Sequence, residues 1–392
     1  MIDKKRTIIN ILSELNRKIF GNEEKFESIG IKYGIPGLCL YNFAYSSFIK
    51  SSAHLEKGNK LLQKSVELLN NDYFSQLLYN EMAELAWCVE ICRETGFYEY
   101  DTNELLNDFD EILLGKMKED IHEGNFDPAI GALSFGYYFL SRIPSSVSAK
   151  TIIVELCEAL ISLSHKNERG VYWKSKLMKD DSVYLGLSHG IAGVIVFLIK
   201  AGLAGIEFKN KEIISQAVHY LKSCIVEDKP VFFPVVEGKL NENDELYANN
   251  WCYGDPGTLY GLLVAAFYLN DKDLRFFCME KFKLVTERDN GQTYLIAGYG
   301  LLYGYAGLCM LYNHCYKLTG ETFFLKAYEK NLQKIIDGFN PEDEFLGYSG
   351  FWNQEIAVTN YSFAEGFIGI SFLLMSHIEP AYDNFYKPLY YL

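Results

Sequence analysis

The stretch YGLLYGYAGLCMLY, residues 299–312, reads as a Gly-x-x-Gly turn that opens an apolar helix. Glycine at a helix start has no Cβ, so the backbone can turn sharply there and approach its neighbour closely. The pattern recurs as GIPGLCLYNF from Gly34, GALSFGYYFL from Gly131, HGIAGVIVFL from His189, YGDPGTLYGLL from Tyr253 and EGFIGISFLL from Glu365. The second of these six turns is irregular, with Ser134 where the others have their second glycine. Gly131, Gly190, Gly254, Gly304 and Gly366 follow one another at 50 to 64 residues, which suits a pair of helices and a loop.

The segments after the turns carry helical periodicity. Ile191, Val194, Ile195 and Leu198 share one face, as do Leu259, Leu262, Leu263 and Ala266. Their other faces are also apolar, so these helices are expected to be enclosed. Segments such as KEIISQAVHYLKSCI and TFFLKAYEKNLQKII are amphipathic and lysine-bearing, as outer helices should be. Six inner and six outer helices closed on themselves make an all-α, α/α toroid, with residues 1–392 as one domain. An open solenoid would need polar caps, and the terminal turns look like interior ones. Closure gathers the turns at one end, where a site is expected. The loops entering them, NERGVYWKSKLMKDDSVYLGL and KPVFFPVVEGKLNENDELYANN, suggest a substrate rim or short strands. The acidic run Glu242 to Glu245 reads as a solvated tip.

Composition narrows the partners. About half of the 392 residues are apolar and 15% are aromatic, ample for a core. A net charge of −14 argues against nucleic acid and against an anionic membrane surface, leaving neutral or basic partners. The start MIDKKRTIINILSELNRKIF lacks the uninterrupted apolar core of a secretory signal, and no apolar run is long enough for an integral membrane segment. Nine cysteines, an odd number without a framework spacing, fit reduced thiols and a cytoplasmic location. Cys88 and Cys92 share a helix face and read as core.

Four turns carry chemistry. FDPAIG places Asp127 four residues before Gly131, and LSHGIAG places His189 directly before Gly190. NNWCYGDPG puts Cys252 two residues before Gly254, beside Trp251 and Asp255, and YSFAEGFIG puts Glu365 directly before Gly366. Each has a plainer reading. Asp127 caps a helix, His189 is a satisfied structural histidine, Cys252 is a small buried apolar residue, and Glu365 accepts backbone N–H bonds at a helix start. The chemical reading gains because these residues occupy corresponding turns.

The six turns, with GLSHGIAG, WCYGDPG and SFAEGFIG, resemble the lanthionine synthetase C-like proteins, the cyclases of lanthipeptide biosynthesis. The resemblance runs from about Gly34 to the C-terminal helix, and WCYGDPG is its most specific piece. It implies an α/α toroid with zinc at one end. It also implies addition of a peptide cysteine thiol to dehydroalanine or dehydrobutyrine, closing a thioether ring. Zinc held by three ligands would keep the thiol as thiolate, and a nearby acid would protonate the enolate carbon.

In the family the ligands are the Cys of WCYG and a Cys-His pair before the next glycine. Cys252 matches the first; Leu302 and Tyr303 stand at the pair. Leucine cannot ligate, and a phenol titrating near 10 replaces imidazole poorly. His314 and Cys315 lie about ten residues into the helix, roughly 15 Å along it, and do not substitute. An arginine four residues before the zinc cysteine becomes Ala248. Asp127 and His189 match the family's acid/base positions.

The site residues are therefore His189, Asp127, Cys252 and Tyr303, with no metal or other cofactor expected. Three readings stand. The protein forms thioether rings without zinc, His189 deprotonating the thiol with support from Asp127. Alternatively, it is an inactive pseudo-cyclase that binds the precursor peptide or a partner such as a dehydratase. In the third, Asp127, His189 and Cys252 form a nucleophile group acting on another substrate. A glycoside hydrolase toroid, pairing Asp127 with Asp255 or Glu365, is disfavoured by the WCYGDPG match.

Overall fold

The computed structural model describes residues 2–176, 182–208, 210–227, 231–240, 249–288, 296, 298–349 and 360–389. Its helices run α1 (Ile2–Phe20), α2 (Ile35–Ile49), α3 (Ser52–Asn70), α4 (Leu78–Glu94), α5 (Asn107–His122), α6 (Ala132–Arg142) and α7 (Ala149–Leu163). A hairpin of β1 (His165–Asn167) and β2 (Gly170–Tyr172) follows. Then come α8 (Ile191–Leu203), α9 (Asn210–Ser223), α10 (Asp255–Tyr268), α11 (Lys272–Glu287), α12 (Tyr305–Thr319), α13 (Thr322–Gly338) and α14 (Phe367–Ile378). No helix among the described residues is long and apolar enough to cross a membrane.

The chain forms two compact units. The first joins Met1–Thr102 to Ala297–Leu389; the second centres on Asn103–Ile296. In the first, α14 neighbours both α2 and α12, with α3 packed on α2, α13 on α12 and α1 on α14. The second places α8 between α6 and α10, with α7, α9 and α11 packed on the respective inner helices. The six helices that follow glycine turns are thus the inner ones. In α14 every residue from Phe367 to Ser376 is buried, and in α2 every residue from Ile35 to Ser46. The expected short strands exist as the hairpin, whereas the acidic run at Glu242 to Glu245 lies outside the described residues.

One backbone device builds the turns. In five of these six helices the first N–H donates to the carbonyl seven residues earlier: Ile35 to Ser28, Ala132 to Asn125, Ile191 to Tyr184, Tyr305 to Gly298 and Phe367 to Asn360, at 2.8–3.2 Å. A helix start leaves such donors unsatisfied, and here the incoming chain satisfies them where a side-chain cap would otherwise serve. The second glycine sits where this chain crosses the helix. A Cβ on Gly37, Gly193, Gly257 or Gly369 would lie well inside 3.0 Å of the carbonyl oxygen of Ile31, Leu187, Trp251 or Phe363 respectively. The requirement is close approach, since the N-cap glycines have ordinary negative φ.

The cysteines bear out a core reading: all nine are free and buried. Inside the first unit the Cys39 thiol of α2 donates to the Gly58 carbonyl at 3.2 Å and the Cys88 thiol of α4 to the Pro36 carbonyl at 3.7 Å.

Candidate functional site

In the second unit the turns before α6, α8 and α10 hold Asp127, His189 and Cys252. The buried Asp127 carboxylate has two tasks. Its Oδ1 accepts the N–H groups of Ala129 at 2.8 Å and Ile130 at 3.1 Å, which fixes its own turn. The same carboxylate faces His189 Nδ1, at 2.9 Å from Oδ2 and 3.1 Å from Oδ1. The anchoring and the acid/base readings of Asp127 are therefore compatible. A carboxylate accepts only, so Nδ1 carries a proton and the neutral ring presents its lone pair at Nε2. Nε2 has no hydrogen-bond partner among the described residues, and the side chain is 13% exposed. Tyr253 stacks on the imidazole, centroids 5.4 Å apart at 26°.

The Cys252 turn is docked on the His189 turn through backbone. Ser188 N–H donates to the Cys252 carbonyl at 3.1 Å. A Cβ on Gly186 would come within 2.9 Å of that same oxygen, so only glycine permits the approach. Cys252 is buried, and its N–H donates to Asn250 Oδ1 at 2.7 Å. Asn250 stands four residues before Gly254, as Asp127 stands four before Gly131, and fixes its turn in the same way. The sequence reading missed Asn250; its position relative to the glycine was the available signal.

Asp255, next to this turn, is structural. Its fully buried carboxylate accepts from the N–H groups of Phe232 at 3.0 Å and Phe233 at 2.8 Å, and pairs with Arg288 at 2.6 Å. Burial raises its pKa, against the opposing pull of Arg288 and the two N–H groups. A cavity of about 260 Å³ in this unit, lined in part by Arg169, Cys224, Pro234, Glu237 and Leu240, includes none of the residues chosen from sequence.

In the first unit Leu302 and Tyr303 are half-buried in the turn before α12, and Leu302 N–H donates to the Ala364 carbonyl at 2.8 Å. Ala364 N–H in turn donates to the Lys32 carbonyl at 3.0 Å, so these three turns are tied in series. Glu365 departs from the sequence expectation. Its carboxylate accepts from the Tyr33 hydroxyl and, among the described residues, from no backbone N–H. Burial raises the Glu365 pKa, and the Tyr33 hydroxyl lowers it in part.

The family's zinc does not fit this donor set. Leu302 offers no lone pair and Tyr303 only a phenol, leaving the Cys252 thiol as the retained ligand type. Among the described residues no group of three or more His, Cys, Asp or Glu is placed to hold a metal ion. His314 and Cys315 lie well inside α12, with Cys315 buried. Ala248 lies outside the described residues.

A family model described as lanthionine synthetase C-like protein matches residues 25–390. The chain is 24% identical over 239 residues to a protein of Danio rerio named glutathione S-transferase LANCL1, covering 59% of this chain and 53% of that protein. It thus spans about half the length of the curated relative it matches. Among solved structures, nisin cyclase superposes with a TM-score of 0.74 at 17% identity, covering 99% of this chain and 98% of that one. At that identity the likeness speaks to fold alone, and the fold is the all-α, α/α toroid that the six turns led us to expect.

Proposed function

We propose, from the premise that this chain belongs to the lanthionine synthetase C-like family, that it adds a cysteine thiol to dehydrated Ser or Thr residues of a precursor peptide without zinc. The observation that carries the reading is the Asp127 carboxylate 2.9 Å from His189 Nδ1, which leaves Nε2 as the basic nitrogen. A free thiol titrates near 8.5 and is mostly protonated at neutral pH, so the addition calls for a positioned base to take its proton. The thiol proton passes to Nε2 while sulfur attacks the β-carbon of the dehydroamino acid. The π electrons move to the amide as an enolate, and the α-carbon then takes a proton, so the net change is addition of S–H across C=C. Asp127 stabilises the imidazolium formed in the first step.

The relative named glutathione S-transferase supports a second reading, in which the thiol is supplied by glutathione at the same base. One experiment separates the two. A dehydrated peptide carrying one cysteine is incubated with the protein, with and without glutathione, and products are read by mass spectrometry and thiol alkylation. Ring closure shows as loss of the peptide's alkylatable thiol at unchanged mass; glutathione addition shows as a mass increase. If both proceed at the rate seen without protein, the enzyme reading fails and the pseudo-cyclase reading takes its place.

A further inference from the structure

We propose that Glu365, held by Tyr33, is a receptor for a positively charged group, an ammonium or a guanidinium, on the ligand of this protein. That the ligand is a peptide rests on the reading above; the receptor itself rests on the first unit alone.

Glu365 directly precedes the N-cap glycine of α14, and Tyr33 directly precedes that of α2. These are the repeat positions that His189 occupies before α8. The Glu365 side chain is largely enclosed, the residue being 7% exposed. Its Oε1 takes the Tyr33 hydroxyl. No further hydrogen bond from a described residue accompanies it at Oε2.

Among the described residues no cation compensates this carboxylate. Among the described residues none forms an ion pair with it, and its environment is accounted for by burial and Tyr33. Lys32 is adjacent in the chain, and its backbone carbonyl meets the Glu365 turn. Its ammonium, however, pairs with Glu84 Oε1 at 2.8 Å, while Glu84 Oε2 takes the Lys32 N–H at 3.1 Å. A buried carboxylate without a counter-charge is costly, and neutral phenol hydrogen bonding offsets only part of that cost. An incoming cation supplies the missing charge at Oε2, the oxygen that the Tyr33 hydroxyl leaves over. The net charge of −14 favours the approach of such a ligand.

The test uses four peptides without thiol or dehydroamino acid, so binding is read without reaction: acetyl-Ala-Arg-Ala-amide, its lysine and citrulline counterparts, and Ala-Ala-Ala-amide with a free α-amine. Calorimetry on the full chain is expected to give at least one cationic peptide a tenfold tighter Kd than the citrulline peptide. The preferred cation identifies its source as side chain or terminus. In buffers of differing ionisation enthalpy near the carboxyl's titration, binding should release a proton. Glu365→Gln should abolish both the preference and the proton release while the far-UV spectrum stays native, and Tyr33→Phe should retain the preference. Equal affinity for arginine and citrulline peptides, no binding of any of the four, or a preference that survives in Glu365→Gln overturns the proposal. Absence of C–S bond formation in the earlier experiment overturns only the catalytic reading.

Discussion

His189 has one ring nitrogen committed and one open, and the commitment is made by a residue that its own turn also needs. Replacing Asp127 with Asn keeps an oxygen for the Ala129 and Ile130 N–H groups but allows the side-chain amide to face Nδ1 and reverse the tautomer. In the proposed addition, Asp127→Asn should cost about 10²- to 10⁴-fold in kcat with little change in thermal midpoint. His189→Ala should reduce the rate at least as far, measured on the same dehydrated peptide. Glu365 predicts a stability effect of definite sign. Its folded pKa lies above the unfolded value because burial disfavours the charge. The stability it contributes is present below the unfolded pKa and is lost as pH rises through the folded one. Glu365→Gln should therefore unfold at a higher temperature than the parent near neutral pH, with the gap closing in acid. At this scale the sequence was legible where function follows from position in a turn: Asp127 and His189 were chosen from spacing and family resemblance. Tyr33 for Glu365, and Arg288 for Asp255, were not legible, because each partner lies on a distant segment and no local pattern names it.

The glycine turns decide the inner helices, and their requirement is steric. Gly193→Ala puts a methyl carbon against the Leu187 carbonyl, inside 3.0 Å; the turn must open, and the loss should be about 3 kcal/mol or more by chemical denaturation. Gly115, exposed within α5 with nothing within 4 Å of a Cβ, is the opposite case. Gly115→Ala should stabilise by about 0.5–1 kcal/mol, the usual helical gain over glycine. The irregular turn with Ser134 still enters α6 normally, since Ala132 N–H reaches Asn125 as its counterparts do, and the Ser134 hydroxyl donates to the Gly131 carbonyl at 2.7 Å. The inner elements were readable because a backbone crossing forces glycine locally. The outer elements were readable only as amphipathic pattern, and α4 with its buried face against α2 was not foreseen.

Burial of the cysteines makes a statement about the molecule as a whole. With all nine thiols enclosed, and with burial pushing Cys157 up to about 12 and Cys224 up to about 11, a thiol reagent at pH 8 should modify the native protein slowly and all nine sites rapidly after denaturation. A fast native phase would show that the interior opens more readily than its packing implies. The repeat made the fold class legible from glycine spacing alone. The grouping into units was not, because it depends on which helices cover which, and α1 covers α14 from the other end of the chain. That last feature has a consequence for biosynthesis. The second unit is built almost wholly from one continuous stretch and can assemble as it leaves the ribosome, whereas the first must hold α1 to α4 in waiting until α12 to α14 have been translated. At ordinary elongation rates the delay is on the order of tens of seconds. During that interval the apolar inner face of α2 has no permanent cover, which makes the newly made amino-terminal quarter the segment most in need of chaperone protection.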